Sequence, residues 1–229
     1  THSTSSAASD VYKRQMIAYV KDEYGVDPVY EAQAGEKETD FRSYLLKAKA
    51  TNPDALVCSG LVDETVRCLV QSYEVGIPKS VARVANSVAS KVEVPTNAGK
   101  AAVGVSYAAA FAASDTRPIA KKFVKHIKSR YGVVPGHDFS QMEDLLTMLK
   151  PALEKAEKGF SGDLASDRKA VRDSIAGITN FTGLASGPIS FCAAGSPECR
   201  DGNRTPVMIE YTKGGKTVSY THLRAHETV

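Results

Sequence analysis

The chain has 229 residues, of which 42% are hydrophobic and 24% are charged, and its formal net charge is +3. This balance is typical of a soluble globular protein with one large domain or two small ones. No apolar run approaches the roughly 18 residues needed to cross a bilayer. The net charge is too small to indicate a nucleic-acid-binding protein.

The two ends of the chain look foreign to the protein. Residues 10–15, DVYKRQ, back-translate to DNA whose reverse complement, read one frame over, encodes residues 218–222, VSYTH. Inverted copies of this kind are typical of transposon adapters used in library preparation, so residues 1–15 and 218–229 are interpreted as non-native tails. A natural Ser/Ala-rich tail is the alternative. On the first interpretation Met16 is not an initiator, and the protein extends upstream.

Helices and strands alternate through the first half of the remaining chain. An amphipathic helix ending at Gly25 comes first, and a strand candidate follows. Next come a helix capped by Thr39 and a short apolar strand, which we expect to be fully buried. A further helix follows this strand and ends at Gly76. Such alternation predicts a parallel sheet with right-handed crossovers. The predicted ranges are 16–24 (helix), 28–33 (strand), 39–48 (helix), 55–58 (strand) and 62–73 (helix).

The second half is richer in helix and ends in strands. Strands are predicted at 80–84 and 102–107, and helices at 118–131, 139–157 and 167–178. The apolar spacing in the second of these helices predicts four buried side chains, and Pro151 should bend it. Short strands are predicted at 187–191, 207–212 and 216–218, the last two as a hairpin around Gly214 and Gly215. The four predicted buried side chains are Met142, Leu145, Leu149 and Leu153.

Ligands of parallel α/β sheets bind beyond the carboxyl ends of the strands. After the strand at 55–58, that edge carries Cys58, Ser59 and Gly60, and after the next strand it carries Asn86 and Ser87. Hydroxyl, amide and backbone N–H groups in such turns can bind a polar ligand. Turn and helix-cap roles for the same residues are the alternative.

Six segments in this order resemble the later part of a type 1 periplasmic binding protein of the branched-chain amino acid and amide branch. This resemblance implies an α/β fold with two Rossmann-like lobes, each a parallel sheet flanked by helices, in which the first half of the family fold is missing. The segments are TDFRSYLLKAKATNPDALV (39–57), SG (59–60), QSYEVG (71–76), FVKHIKSRYGVVP (123–135), AVRDSIAG (170–177) and FTGLASGPISF (181–191).

The resemblance also divides the chain. Residues 16–107 would form most of the second lobe, 108–186 the returning part of the first lobe, and 187–217 a final return to the second. The tails at 1–15 and 218–229 would belong to neither lobe.

Residue by residue, the resemblance places the family's ligand-facing strand-end turn on Cys58, Ser59 and Gly60. The position that often carries an acidic residue for a ligand's ammonium falls on Asn86 and Ser87, and an aromatic position in a late helix falls on Met142. Asn86 has no charge to neutralise an ammonium, and Met142 has no ring to stack. The implied ligand is an amino-acid-like or small polar solute.

The sequence has no set of residues that indicates catalysis, a cofactor or a metal. Cys58 lacks an adjacent base, so a small buried thiol is favoured over a nucleophile. His126 and His137 do not form a metal-binding pattern. If the protein is exported, Cys192 and Cys199 are expected to form a disulfide, and a reduced pair is the alternative.

The function implied by the resemblance is that of a solute receptor of an ABC importer, periplasmic or extracellular and with membrane association possible. Its partners would be a small-molecule solute and an ABC permease, with no nucleic acid and no cofactor. An extracellular sensory domain on a transmembrane receptor is the first alternative, and an α/β enzyme is the second. The basic residues of helix 118–131 form either a solvated face or a phosphate or lipid patch, and the former is favoured.

Overall fold

A computed structural model describes residues 4–35, 38–185, 187–191, 205–213 and 217–220. Seven α-helices and five strands occur in these ranges, together with two short 3-10 helices at Ser87–Ser90 and Gly99–Ala102. The α-helices are α1 (Thr4–Tyr24), α2 (Arg42–Ala50), α3 (Val62–Glu74), α4 (Glu93–Ala98), α5 (Pro118–Tyr131), α6 (His137–Glu157) and α7 (Leu164–Ala176). The strands are β1 (Ala55–Cys58), β2 (Ala82–Ala85), β3 (Val105–Ala109), β4 (Val207–Tyr211) and β5 (Thr217–Tyr220).

The strands form one mixed sheet in the order β1-β2-β3-β4-β5. β1, β2 and β3 are parallel, as the alternating pattern predicts, whereas β4 and β5 are added antiparallel as the predicted hairpin. Helix α1 begins at Thr4 and β5 ends at Tyr220, so both elements extend into the segments interpreted as adapter-derived. A segment of foreign origin can form a helix or a strand as readily as a native one. The adapter origin of both ends therefore stays a prediction.

The strand predicted at 28–33 does not form, whereas the strand predicted at 55–58 forms as β1 with the expected bounds but is less buried than expected. Residues 28–33 are described but form no strand, and β1, expected to be fully buried, is an edge strand in which Val57 is 46% exposed. Apolar strand sequences need partners on both sides to be buried. Among the described residues, β2 is the only strand that pairs with β1. At 187–191 the predicted strand is reduced to a single bridge between Phe181 and Ile189.

The main hydrophobic core lies between the sheet and helices α3 and α4. Leu69, Ala89, Val94 and Val105 have no measurable exposure there. Two further clusters join α5, α6 and the described residues of 178–191, and α7 packs on α6; we call these elements the α5–α7 unit. The two parts have separate hydrophobic clusters among the described residues, and the predicted boundaries after residues 107 and 186 stay predictions. The assignment of each part to a particular lobe stays a prediction.

Helix α6 buries a different face from the one predicted. Its buried residues are His137, Ser140, Asp144, Met148, Ala152 and Ala156, mostly at intervals of four. Met142, Leu145 and Leu153 are 57%, 45% and 40% exposed, and Leu149 is half-buried. The prediction assumed that the most hydrophobic side chains of α6 are buried. Instead, α7 packs against the face of α6 that carries small residues such as Ala152. Ser174 on α7 donates a hydrogen bond to the Ala152 carbonyl at 2.7 Å.

A short segment of the α5–α7 unit, residues 183–185, is held on both sides by charged side chains. The Asp144 carboxylate accepts hydrogen bonds from the backbone N–H groups of Leu184 and Ala185 at 2.7 and 2.8 Å. The Arg117 guanidinium donates to the carbonyls of Gly183 and Leu184 at 3.2 and 2.6 Å. Asp144 is 3% exposed, so these bonds replace the water that its charge would otherwise bind.

Cys58 is buried, as expected, but the prediction that it is a free thiol is wrong. It forms a disulfide with Cys68, so the end of β1 is covalently joined to α3. The spacing of ten residues did not reveal this pairing, because only the packing of α3 on the sheet brings the two side chains together. Cys192 and Cys199, the predicted pair, lie outside the described residues.

Candidate functional site

The candidate site lies at the carboxyl ends of β1 and β2. The two strands are parallel and in register, with Cys58 opposite Ala85, so Ser59 and Asn86 leave the sheet side by side. The amide of Asn86 donates a hydrogen bond from Nδ2 to the Gly60 carbonyl at 2.9 Å. The structure therefore brings Ser59, Gly60, Asn86 and Ser87 together, as the sequence predicts. Cys58 lies beneath them at 1% exposure, with its sulfur committed to the disulfide.

Gly60 is required by close packing rather than by backbone conformation. A Cβ at this position would lie 2.7 Å from the Cβ of Glu64, inside the closest approach of two carbon atoms. The Gly60 carbonyl also accepts a weaker hydrogen bond from the Thr65 hydroxyl at 3.4 Å. The turn after β1 is thus fixed by the first residues of α3 and by Asn86.

Ser87 begins a 3-10 helix that a distant strand holds in place. The Tyr211 hydroxyl in β4 donates a hydrogen bond to the Ala89 carbonyl, and the Tyr211 ring packs against Tyr107 with their centroids 5.4 Å apart. Burial raises the pKa of the Tyr211 hydroxyl, although its hydrogen bond with Tyr107 acts in the opposite direction. The hydroxyl therefore stays a protonated donor at neutral pH.

The α5–α7 unit approaches this edge through the start of α6. A Cβ on Gly136 would lie 2.8 Å from the Ser90 carbonyl oxygen, and Lys91 Nζ is 3.3 Å from the Asp138 carboxylate. The two parts of the chain therefore face each other beside the strand-end residues. Met142 lies further along α6 and is 57% exposed, so the structure does not bring it into the cluster around Gly60.

Two buried oxygens near Gly60 have no hydrogen-bond partner among the described residues. Asn86 Oδ1 and Glu64 Oε2 are both buried, and no described residue donates a hydrogen bond to either. Sequence reasoning missed Glu64, because its position on the amphipathic helix indicates a water-facing side chain. In the structure, the Cβ and Cγ of Glu64 lie against Gly60, whose carbonyl accepts the hydrogen bond from Asn86.

This edge offers several groups that can form hydrogen bonds with a polar ligand. They are hydroxyls, an amide, a carboxylate and backbone groups at strand ends. No three potential metal ligands lie together among the described residues. No helix in the described ranges is long and apolar enough to span a membrane.

The mixed α/β architecture, with a parallel sheet flanked by helices, is that of the type 1 periplasmic binding protein fold. The chain belongs to the periplasmic binding protein family, whose sequence profile matches residues 2–200. This is a family of solute-binding proteins. No curated protein matched the chain in a sequence search.

Solved structures of this fold resemble the chain at low sequence identity. A leucine-binding protein from Thermotoga maritima MSB8 is 24% identical with a TM-score of 0.74, over 90% of this chain and 55% of its own. A branched-chain amino acid transporter substrate-binding protein from Streptococcus pneumoniae, solved with isoleucine, is 20% identical with a TM-score of 0.71. That match covers 90% of this chain and 56% of the other. A solute-binding protein from R. palustris, solved with benzoate, is 18% identical with a TM-score of 0.71. That match covers 90% of this chain and 54% of the other. The chain thus spans a little over half the length of these proteins.

Proposed function

We propose that the protein is an extracytoplasmic solute receptor of an ABC importer, which binds an amino-acid-like or small polar solute between two lobes. The observation that carries this proposal is the convergence of Ser59, Gly60, Asn86 and Ser87 at one sheet edge, facing the start of α6. Hinged closure of two lobes around a ligand is the usual mechanism of such receptors. The closed form would then dock on an ABC permease.

The direct test is a ligand screen on the intact gene product, obtained by sequencing the parent gene across both ends of this chain. Thermal unfolding is followed with amino acids, amides and aromatic acids, each added singly. A solute at about a hundred times its Kd stabilises the folded state by about 2.7 kcal/mol, which gives a clear rise in Tm. Turnover of a solute without stabilisation would instead support an α/β enzyme.

We expect Ser59→Ala and Asn86→Ala to weaken binding of the solute found in that screen. Each substitution removes one polar group from the strand-end edge, which costs about 0.5–1.5 kcal/mol, or roughly twofold to tenfold in Kd. Isothermal titration calorimetry measures the change. Ser80→Ala is the matched control, because this exposed serine precedes β2 at the opposite end of the strand. Unchanged affinity in both site variants would rule out this edge as the binding site.

A further inference from the structure

Helix α5 carries a basic face on the surface of the α5–α7 unit. Of its 14 residues, five are lysine or arginine and none is acidic. Ala120 and Ile127 are buried against the rest of the protein, and the opposite side of the helix is exposed. With 3.6 residues per turn, four exposed lysines fall within about one third of the helix circumference on that side. We call them the lysine face: Lys121, Lys122, Lys125 and Lys128.

The cations of the neighbouring helices are paired, whereas the lysine face is not. On α6, Lys150 forms an ion pair with Glu154, and on α7 Lys169 Nζ lies 2.6 Å from the Asp173 carboxylate. No described carboxylate, from α5 or from any other element, forms an ion pair with the lysine face. The sequence favours a solvated face for these residues, but only the structure shows that no described neighbour neutralises them.

The stability of the helix does not explain the four lysines. The helix dipole favours a cation in the last turn, such as Lys128, but disfavours one in the first turn, where Lys121 lies. Lys125 is four residues from Lys121 and three from Lys128, and like charges at these spacings destabilise a helix. The lysine face therefore reduces the stability of α5, and an anionic partner would offset that cost.

The shape of the face favours a broad anionic surface over a single small anion. The lysines stand on an exposed helix and extend over about 10 Å of its length. An ammonium is a compact point charge on a flexible stem and lacks the fixed fork with which a guanidinium binds one anion. Ile119 lies one turn before Lys122 and is 46% exposed, so an apolar side chain adjoins the face. Lysines beside an exposed apolar side chain are typical of helices that lie on anionic lipid.

We propose that the lysine face of α5 binds the protein to the surface of an anionic phospholipid membrane. The charge complementarity between four unpaired ammonium groups and lipid phosphates carries this proposal. It goes beyond the proposed function, because it concerns where the protein is held rather than what binds between its lobes. A receptor held at the membrane surface would be concentrated beside its permease, and this consequence alone rests on the proposed function.

Sedimentation with sucrose-loaded vesicles tests the proposal on the chain itself. We expect binding to equimolar phosphatidylglycerol and phosphatidylcholine, no binding to phosphatidylcholine alone, and loss of binding in about 0.5 M NaCl, which screens the charges. Equal binding to both kinds of vesicle would show adsorption through apolar side chains, for which the exposed leucines of α6 suffice, and would overturn the proposal. Retention on immobilised polyglutamate without binding to vesicles would replace it with an acidic protein partner.

Two triple variants locate the charges responsible. Substituting three lysines of the face should weaken vesicle binding about a hundredfold, because each lysine at an anionic surface contributes roughly fivefold. The matched control removes the same charge from exposed lysines of α6 and its C-cap, and should leave binding within about threefold, since the surface potential acts only within a Debye length. The variants are Lys121→Gln/Lys125→Gln/Lys128→Gln and Lys150→Gln/Lys155→Gln/Lys158→Gln.

Equal weakening by the two variants would show that net charge matters rather than the lysine face, and would contradict the proposal. Circular dichroism of each variant verifies that the helices are intact. Removal of like-charge repulsion should leave α5 at least as stable as before, so a loss of vesicle binding is not a loss of folding.

The same variants in the intact gene product separate this inference from the proposed function. If a solute stabilises the product but anionic vesicles do not bind it, the membrane-binding face is wrong and the receptor function stands. If vesicles bind through the lysine face but no solute stabilises the product, the receptor function is wrong and the face stands. Where both hold, the variant of the lysine face keeps its affinity for the solute, because its residues lie outside the strand-end cluster.

Discussion

We expect Asp144→Ala to lower the free energy of unfolding by about 3 kcal/mol. Asp144 is 3% exposed and accepts two backbone hydrogen bonds, from Leu184 and Ala185. Without the carboxylate, both N–H groups remain buried without an acceptor, and each loses a bond to a charged partner. The opposing carbonyl contacts of Arg117 cannot replace them, because a guanidinium only donates. Urea denaturation followed by circular dichroism measures the change.

Glu143→Ala is the matched control for this prediction. Glu143 is the preceding residue of α6 and is exposed, so its substitution should change stability by no more than about 0.5 kcal/mol. Asp144→Asn should give an intermediate loss, because it keeps one acceptor oxygen and presents an NH₂ group to the other backbone donor. A loss for Asp144→Ala no larger than that for Glu143→Ala would show that the carboxylate does not hold segment 183–185.

The second large effect is expected at the disulfide. Replacing Cys58 and Cys68 together by serine should lower the free energy of unfolding by about 3 kcal/mol, the chain-entropy value for so short a loop. Both sulfurs belong to elements that form the strand-end edge, since Cys58 ends β1 and Cys68 lies on α3. The variant should therefore also broaden the NMR signals of Gly60, which the two elements enclose.

The cysteines outside the described residues require their own control. A Cys192→Ser/Cys199→Ser variant retains only the disulfide between β1 and α3, so any loss of stability on adding reductant reports on that bond alone. Reductant should destabilise this variant by about the same amount as the substitution of Cys58 and Cys68. Insensitivity to reductant in a protein purified without it would contradict the pairing.

Several elements were predicted correctly because their signals are local. The helix after β1 has an apolar face, and α5 begins at Pro118 and ends just before Gly132, which adopts a positive φ of 72°. Proline at the first turn and glycine after the last turn fix helix ends through backbone geometry alone. β2 and β3 are shifted by a few residues from their predicted ranges, because ladder pairing rather than sequence pattern sets the ends of a strand.

Other features depend on which surfaces meet. The exposed leucines of α6 and the buried Asp144 on the same helix reverse the order that hydrophobicity predicts. Likewise, the hydrogen bond from Tyr211 to Ala89 joins residues 122 positions apart. Neither a periodic pattern nor a motif contains this information.

The candidate site shows the same division between sequence and structure. The sequence by itself determined the alternation of strands and helices, and hence that Ser59, Gly60, Asn86 and Ser87 lie at strand ends, because the carboxyl ends of parallel strands share one edge. Only the tertiary structure decided that Cys58 is bonded to Cys68, that Glu64 lies against Gly60, and that Met142 lies outside the cluster. The spacing of residues along an element determines which side chains share a face, whereas the neighbouring elements decide which face is buried and which side chains come into contact.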